Sequence, residues 1–308
     1  MRRFIFHIVL GISVLSGCNN PDSTRSPYEY VKRSVRIMDR QGLYAYGDEW
    51  TEARDSCLNI AKNIRSYDDA HNIISSLVKI AGGKHSFLRP PVTDTTSYIE
   101  LQSCASFRGD SILVIDLPAH SGVKINDSVY VYSVLDRIVQ YEKDIKGIII
   151  NLQGNHGGDM YPMIAAISPL LEDGIVLKFK GRKKMIRIVS ISLDMVRKFM
   201  RLEEKYKFTP PLNVPIAILT DSNTASSGEA TLLCFRGMKN VRTFGRPTAG
   251  YASANASYAL TDGYTLVLTV GKEIARTGEM FCSDPIPPDV ITDSPFEDAI
   301  AWLTNKGE

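Results

Sequence analysis

Three things are scarce in these 308 residues: charge of one sign, cysteine, and an apolar run long enough to cross a bilayer. Lysine and arginine number 36 against 34 aspartate and glutamate. Discounting Arg2 and Arg3 with a cleaved leader makes the counts equal, which leaves no electrostatic footprint for nucleic acid. Five cysteines without a CxxC pair give no zinc spacing. Beyond Cys18, Cys57, Cys104, Cys234 and Cys282 allow three disulfide pairings or buried thiols. The apolar stretch Phe4 to Gly17 is too short for a mature spanning helix. Internal repeats and low-complexity tracts are also missing, while a 44% hydrophobic composition is enough for a large core.

What stands at the N-terminus is an address. Arg2-Arg3, the apolar stretch and Leu15-Ser16-Gly17-Cys18 together resemble a bacterial lipoprotein signal with its lipobox, so residues 1–18 are expected to form the leader and Cys18 to carry the lipid. The expected location is the cell envelope, lipid-anchored on the periplasmic face or outer membrane. Residues 19–26, rich in Asn, Pro, Asp and Ser, form a tether. Apolar periodicity predicts helices over Tyr28 to Arg40 and Arg54 to Ile64, and a third that Ser66 caps and Gly82-Gly83 stops. Residues 27–90 are thus a small helical N-terminal lobe.

From Ser111 the pattern becomes α/β, and residues 91–308 form one core. Strands are predicted at Ile112 to Leu117, Ile145 to Leu152 and Val214 to Thr220, and helices at Val129 to Tyr141, Met160 to Leu171 and Leu193 to Tyr206. The lysine- and arginine-rich Ile175 to Ser192 is a solvated hairpin. Asp262-Gly263 marks a second hairpin, and Pro295 to Leu303 is a closing helix.

Chemistry concentrates at three corners. Asp221-Ser222-Asn223-Thr224-Ala225-Ser226-Ser227-Gly228-Glu229 joins a strand to a helix; Ser226-x-x-Glu229 is a capping box, and the same corner suits a nucleophile. Gln153-Gly154-Asn155-His156-Gly157-Gly158 is a strand-to-helix glycine loop without the lysine of a phosphate loop. It serves as a tight turn or turns N–H groups toward an oxyanion. His85 follows a helix stop; His71, His120 and His156 are its rivals as a base.

These segments, in this order, resemble the tail-specific (C-terminal processing) serine peptidases of family S41. Thr224 to Glu229 is similar to their nucleophile segment, and Asn151 to Gly158 to their Asp-Leu-Arg-x-Asn-x-Gly-Gly loop. Gly245-Arg246-Pro247-Thr248-Ala249-Gly250 is similar to Gly-x-Pro-Thr-x-Gly, and Pro288-Asp289 to a terminal Pro-Asp. The resemblance implies an α/β fold with a ClpP/crotonase-like core, a twisted mixed sheet flanked by helices. Tyr251 stands where many members carry a catalytic lysine, and Asn151 and Gln153 replace an aspartate and an arginine. His85-Ser86-Phe87 resembles the histidine stretch of members without the lysine, such as the tricorn-type peptidases and the nisin resistance protein. Too few residues separate Leu88 from Ile112 for a PDZ domain, as in the latter subgroup.

The implied mechanism uses Ser226 as nucleophile, His85 as base, and Gly157, Gly158 and Ser227 as oxyanion donors, with no metal and no cofactor. Glu279 and Asp284 are both open as a third residue orienting His85. The implied partners are a peptide or protein C-terminal tail and the membrane, not nucleic acid. Two rival readings are a catalytically inactive peptide-binding lipoprotein and a bacteriocin-degrading resistance protein. An esterase is disfavoured because Thr224 and Gly228 break the Gly-x-Ser-x-Gly elbow.

Overall fold

The computed structural model describes residues 26–91, 101–109, 111–122, 126–182 and 188–305. The leader, Cys18 and nearly all of the tether lie outside the described residues. The chain divides into two compact units, one holding the described residues up to 91 with 181–182 and Ser253–Lys272, the other the remainder.

The first unit starts with helices α1 (Pro27–Gln41), α2 (Gly47–Ala61) and α3 (Tyr67–Gly82). Ser26 and Ser66 accept N–H groups of their first turns, satisfying donors that a helix start leaves open. Strand β1 (Phe87–Arg89) and hairpin partner β9 (Ser253–Ala259) both pair antiparallel with β10 (Thr265–Ala275), whose last residues, Glu273–Ala275, belong to the second unit. Val31, Val35, Met38, Ile74, Leu77 and Val78 are buried with Leu266 and Leu268 of the hairpin. At the hairpin turn Asp262 accepts the Tyr30 hydroxyl at 2.9 Å and lies 2.7 Å from His71 Nε2, which gives His71 a structural partner.

The second unit is a six-stranded sheet in the order β12-β8-β7-β4-β3-β2. Its strands are β2 (Cys104–Arg108), β3 (Ile112–Asp116), β4 (Gly147–Asn151), β7 (Ile216–Thr220), β8 (Val241–Gly245) and β12 (Val290–Ile291). All neighbours are parallel except the edge strand β2. The isoleucine-rich β4 and the β7 run Ile-Ala-Ile-Leu-Thr are buried along nearly their whole length, as strands covered on both faces must be. Crossovers run through α4 (Asp127–Tyr141), α5 (Met160–Ala166) and α7 (Ser227–Leu233), and α8 (Pro295–Asn305) packs Ala299 and Leu303 with Ile149, Leu219 and Phe244. Strands β5 (Ile175–Gly181) and β6 (Ile188–Ser192) form the basic hairpin, followed by α6 (Leu193–Met200). The two-residue β11 (Met280–Phe281) pairs with the end of β10.

Two predicted helices are shorter in the structure. The one from Met160 stops at Ala166 and Pro169 sits in a separate 3-10 turn, because proline cannot donate to a helix interior. The one from Leu193 stops where Arg201 takes a left-handed conformation and ends the hydrogen-bond ladder. The cysteines Cys57, Cys104 and Cys234 are free.

Candidate active site

Register is what assembles the site. Asp116 pairs with Asn151, Asn151 with Leu219, and Thr220 with Gly245, so four parallel strands end level at one edge of the sheet. The loops that leave this carboxyl edge carry three of the sequence motifs and residues 117–120. That is where open parallel sheets place their ligands.

The turn after β7 is tightly wired. Asp221 Oδ1 accepts the N–H groups of Asn223 and Thr224, both at 2.9 Å, and its carboxylate also accepts that of Gly154. Thr224 Oγ1 donates to the Leu152 carbonyl and the Ala225 N–H to the Asn155 carbonyl, tying this turn to the glycine loop. Ser226 then adopts φ 52° and ψ −115°, a backbone state that L-residues avoid. Such strain costs about 1–3 kcal/mol and persists only where the surroundings over-determine it.

The surroundings do so through Glu229. Its buried carboxylate accepts the Ser226 N–H at 2.9 Å, returning from the third helical position as a capping box requires. It also accepts the N–H groups of Gly250 (2.9 Å) and Tyr251 (2.7 Å) and the Thr248 hydroxyl. Burial pushes this carboxyl above its ordinary range, against the four donors, which favour the ionised form. Thr248 in turn pairs with Ile286, and Asp289 accepts Thr243 N–H and Oγ1, so the Pro-Thr and Pro-Asp landmarks serve to lock this frame.

In the glycine loop, Gly157 and Gly158 have φ of 102° and 118°. A Cβ at Gly157 would stand 2.7 Å from Ser226 Cβ, and one at Gly158 1.7 Å from the His120 carbonyl oxygen, so both positions require glycine. The backbone of His120 grips the loop from outside: its N–H donates to Gly157 O and its carbonyl accepts the Asp159 N–H. Asn155, wholly buried, donates to the carbonyls of Leu117 and Pro118 and accepts the Gly157 N–H at 2.9 Å. Gly157 N–H is therefore committed to Asn155. Ser227 Oγ donates to Gly158 O at 2.6 Å, and α7 starts at Ser227. The second unit thus brings Ser226, Ser227, Gly157 and Gly158 together.

His85 belongs to the first unit. Its Nδ1 lies 2.8 Å from Ser253 Oγ, and its carbonyl accepts Asn255 Nδ2 at 3.0 Å. Burial, helped by Lys84, pushes the imidazole down to about 4, so it is neutral at physiological pH. His156 is exposed, while His120 is buried with Nδ1 accepting the Gly122 N–H. Glu279 is held by Arg236 in a two-point ion pair at 2.8 and 3.0 Å, which draws its carboxyl below the usual range; Asp284 is exposed. Among the described residues no group of His, Cys, Asp and Glu is arranged to hold a metal. Sequence reasoning missed Ser253 and weighed His120 only as a rival base, whereas His120 holds the loop through its backbone, which no side-chain pattern reports.

Residues 98–292 match the sequence model of peptidase family S41. The nisin-resistance protein of Lactococcus lactis subsp. lactis is 31% identical over 288 residues, which cover 91% of this chain and 88% of that protein. The structure of a lipoprotein from Streptococcus agalactiae is similar with a TM-score of 0.83 at 30% identity, over 92% of this chain and 97% of that one. The photosystem II D1 C-terminal processing protease shares the fold, with a TM-score of 0.62 at 12% identity over 88% and 94% of the two chains.

Proposed function

The chain belongs to peptidase family S41, a family of serine peptidases, and on that premise we propose that it is an endopeptidase of the cell envelope, lipid-anchored through Cys18, cutting peptide or protein C-terminal tails with Ser226 and His85. The observation that carries this reading is the strained Ser226 backbone, held by Glu229 against the glycine loop. A serine hydroxyl is a poor nucleophile until a neutral imidazole takes its proton. His85 receives the proton as the Oγ–carbon bond forms, then delivers it to the leaving amine as the peptide bond breaks. With Gly157 N–H committed to Asn155, the N–H groups of Gly158 and Ser227 receive the oxyanion, and water releases the acyl group. No metal or cofactor enters this route.

Likeness to the nisin-resistance protein over most of both chains favours a narrower substrate, a small bacteriocin peptide. Among the described residues no helix is long and apolar enough to cross a membrane; with a lipid on Cys18 as the anchor, Cys18→Ala should release the protein from the membrane fraction. Hydrolysis of peptides with free or amidated C-termini by wild type, Ser226→Ala and Ser227→Ala tests the rest, alongside labelling by a fluorophosphonate. Ser226→Ala should abolish cleavage and labelling. Full activity in Ser226→Ala would sink the assignment, and equal cutting of amidated peptides would remove the tail specificity.

A further inference from the structure

We propose that Ser253 is the positioning residue of the base: its hydroxyl accepts the Nδ1–H of His85 and so fixes the tautomer in which Nε2 takes the proton from Ser226. This deepens the serine–imidazole reading and rests on it.

The geometry lies within one unit. Ser253 Oγ is 2.8 Å from Nδ1, and Ser253 is 2% exposed, so its hydroxyl must find its partners inside the protein. Ser253 and Asn255 are two residues apart on β9 and so share one face of the strand. From that face Ser253 meets the ring of His85 while Asn255 donates to its carbonyl at 3.0 Å. Asn255 is itself oriented, because its Oδ1 accepts Thr269 Oγ1 at 2.8 Å across the hairpin. Thr269 is fixed by Ser86, the neighbour of His85: Ser86 Oγ donates to Thr269 Oγ1 at 3.1 Å and accepts the Thr269 N–H at 2.8 Å. Ring and backbone of His85 are therefore held by one closed network.

A base needs its accepting nitrogen unprotonated, so the proton must sit on the other nitrogen, and the group bonded there decides the tautomer. A hydroxyl fills this role as a carboxylate does. It carries no charge, however, and stabilises the imidazolium less, in keeping with a base that stays neutral deep into the acid range.

The test is the tautomer of His85 by nitrogen-15 NMR of the full chain, with the signal assigned through His85→Gln, together with steady-state kinetics. Wild type should show Nδ1–H. Ser253→Ala should lose the fixed tautomer and drop kcat by about tenfold to a hundredfold, a part of the ~10²–10⁴ that a positioned base contributes, with KM nearly unchanged. Ser253→Thr should restore both readouts. An Nε2–H tautomer in the wild type overturns the proposal whether or not the variants fold, as does an unshifted tautomer in a folded Ser253→Ala. Full activity in His85→Ala would instead overturn the reading on which it rests.

Discussion

Glu229 accepts the backbone N–H of Ser226 at 2.9 Å and, with the same oxygen, the N–H of Tyr251 at 2.7 Å. One carboxylate thus joins the proposed nucleophile to the loop in which many members of the family carry a lysine. Tyr251 engages this frame through its backbone, a contact that does not depend on the lysine's chemistry.

Replacing Glu229 by Gln puts an amide NH2 among four donors, so at least one of them loses its acceptor. An unsatisfied buried group costs about 1–3 kcal/mol, and more when the lost group is charged. Glu229→Gln should lower the thermal midpoint and reduce kcat more than tenfold, because the Ser226 backbone is no longer held. A variant with unchanged midpoint and kcat would show that the carboxylate does not set the nucleophile.

The positive φ at Ser226 has its own signature. Alanine keeps the steric penalty and glycine removes it, so Ser226→Gly should be more stable than Ser226→Ala by about 1 kcal/mol or more. Paired denaturant titrations of the two variants read this difference. Equal midpoints and slopes would mean that the turn relaxes to an ordinary conformation.

The acid limb follows from His85. Its folded value of about 4 lies below the ordinary 6.5, so the neutral base persists as pH falls and is lost only near 4. The profile of kcat/KM against pH should therefore stay level through mildly acid conditions and fall around pH 4. Stability runs with the same sign: between about 6.5 and 4 the unfolded chain binds a proton that the folded chain does not, so this group makes acid destabilising in that window. An acid limb near 6.5 would place a different group, or an exposed imidazole, in the role.

Gly158→Ala sets a Cβ against the His120 carbonyl oxygen. The loop must retreat and take the proposed oxyanion donor with it, so kcat should fall by about a hundredfold or more, while the sheet beneath keeps the fold. Circular dichroism with peptide turnover separates the two effects; wild-type turnover would remove Gly158 from the oxyanion site.

Much of this was legible because parallel strands and glycine loops leave strong patterns. The isoleucine run of β4, the Asp262-Gly263 turn and the Ser226-x-x-Glu229 box all announce themselves over a few residues. The edge strands β2 and β12 did not, since Cys-Ala-Ser-Phe-Arg and a pair of residues carry too little periodicity, and pairing with a neighbour is what makes them strands. The four-donor environment of Glu229 and the meeting of Ser253 with His85 were illegible for a related reason. They join residues up to 168 positions apart, and sequence spacing is blind to such closure. Helix ends at Ala166 and Arg201 depended on local proline and left-handed geometry, which an apolar stripe overrides on paper but not in the chain.

The left-handed backbone at Ser226 also bears on why a serine stands there. Glycine would occupy that corner with less strain and would add stability. Here serine stands at a conformational disadvantage, and a buried carboxylate enforces it. Folding alone gives no reason to place serine there, which weighs against a chain that only binds its peptide.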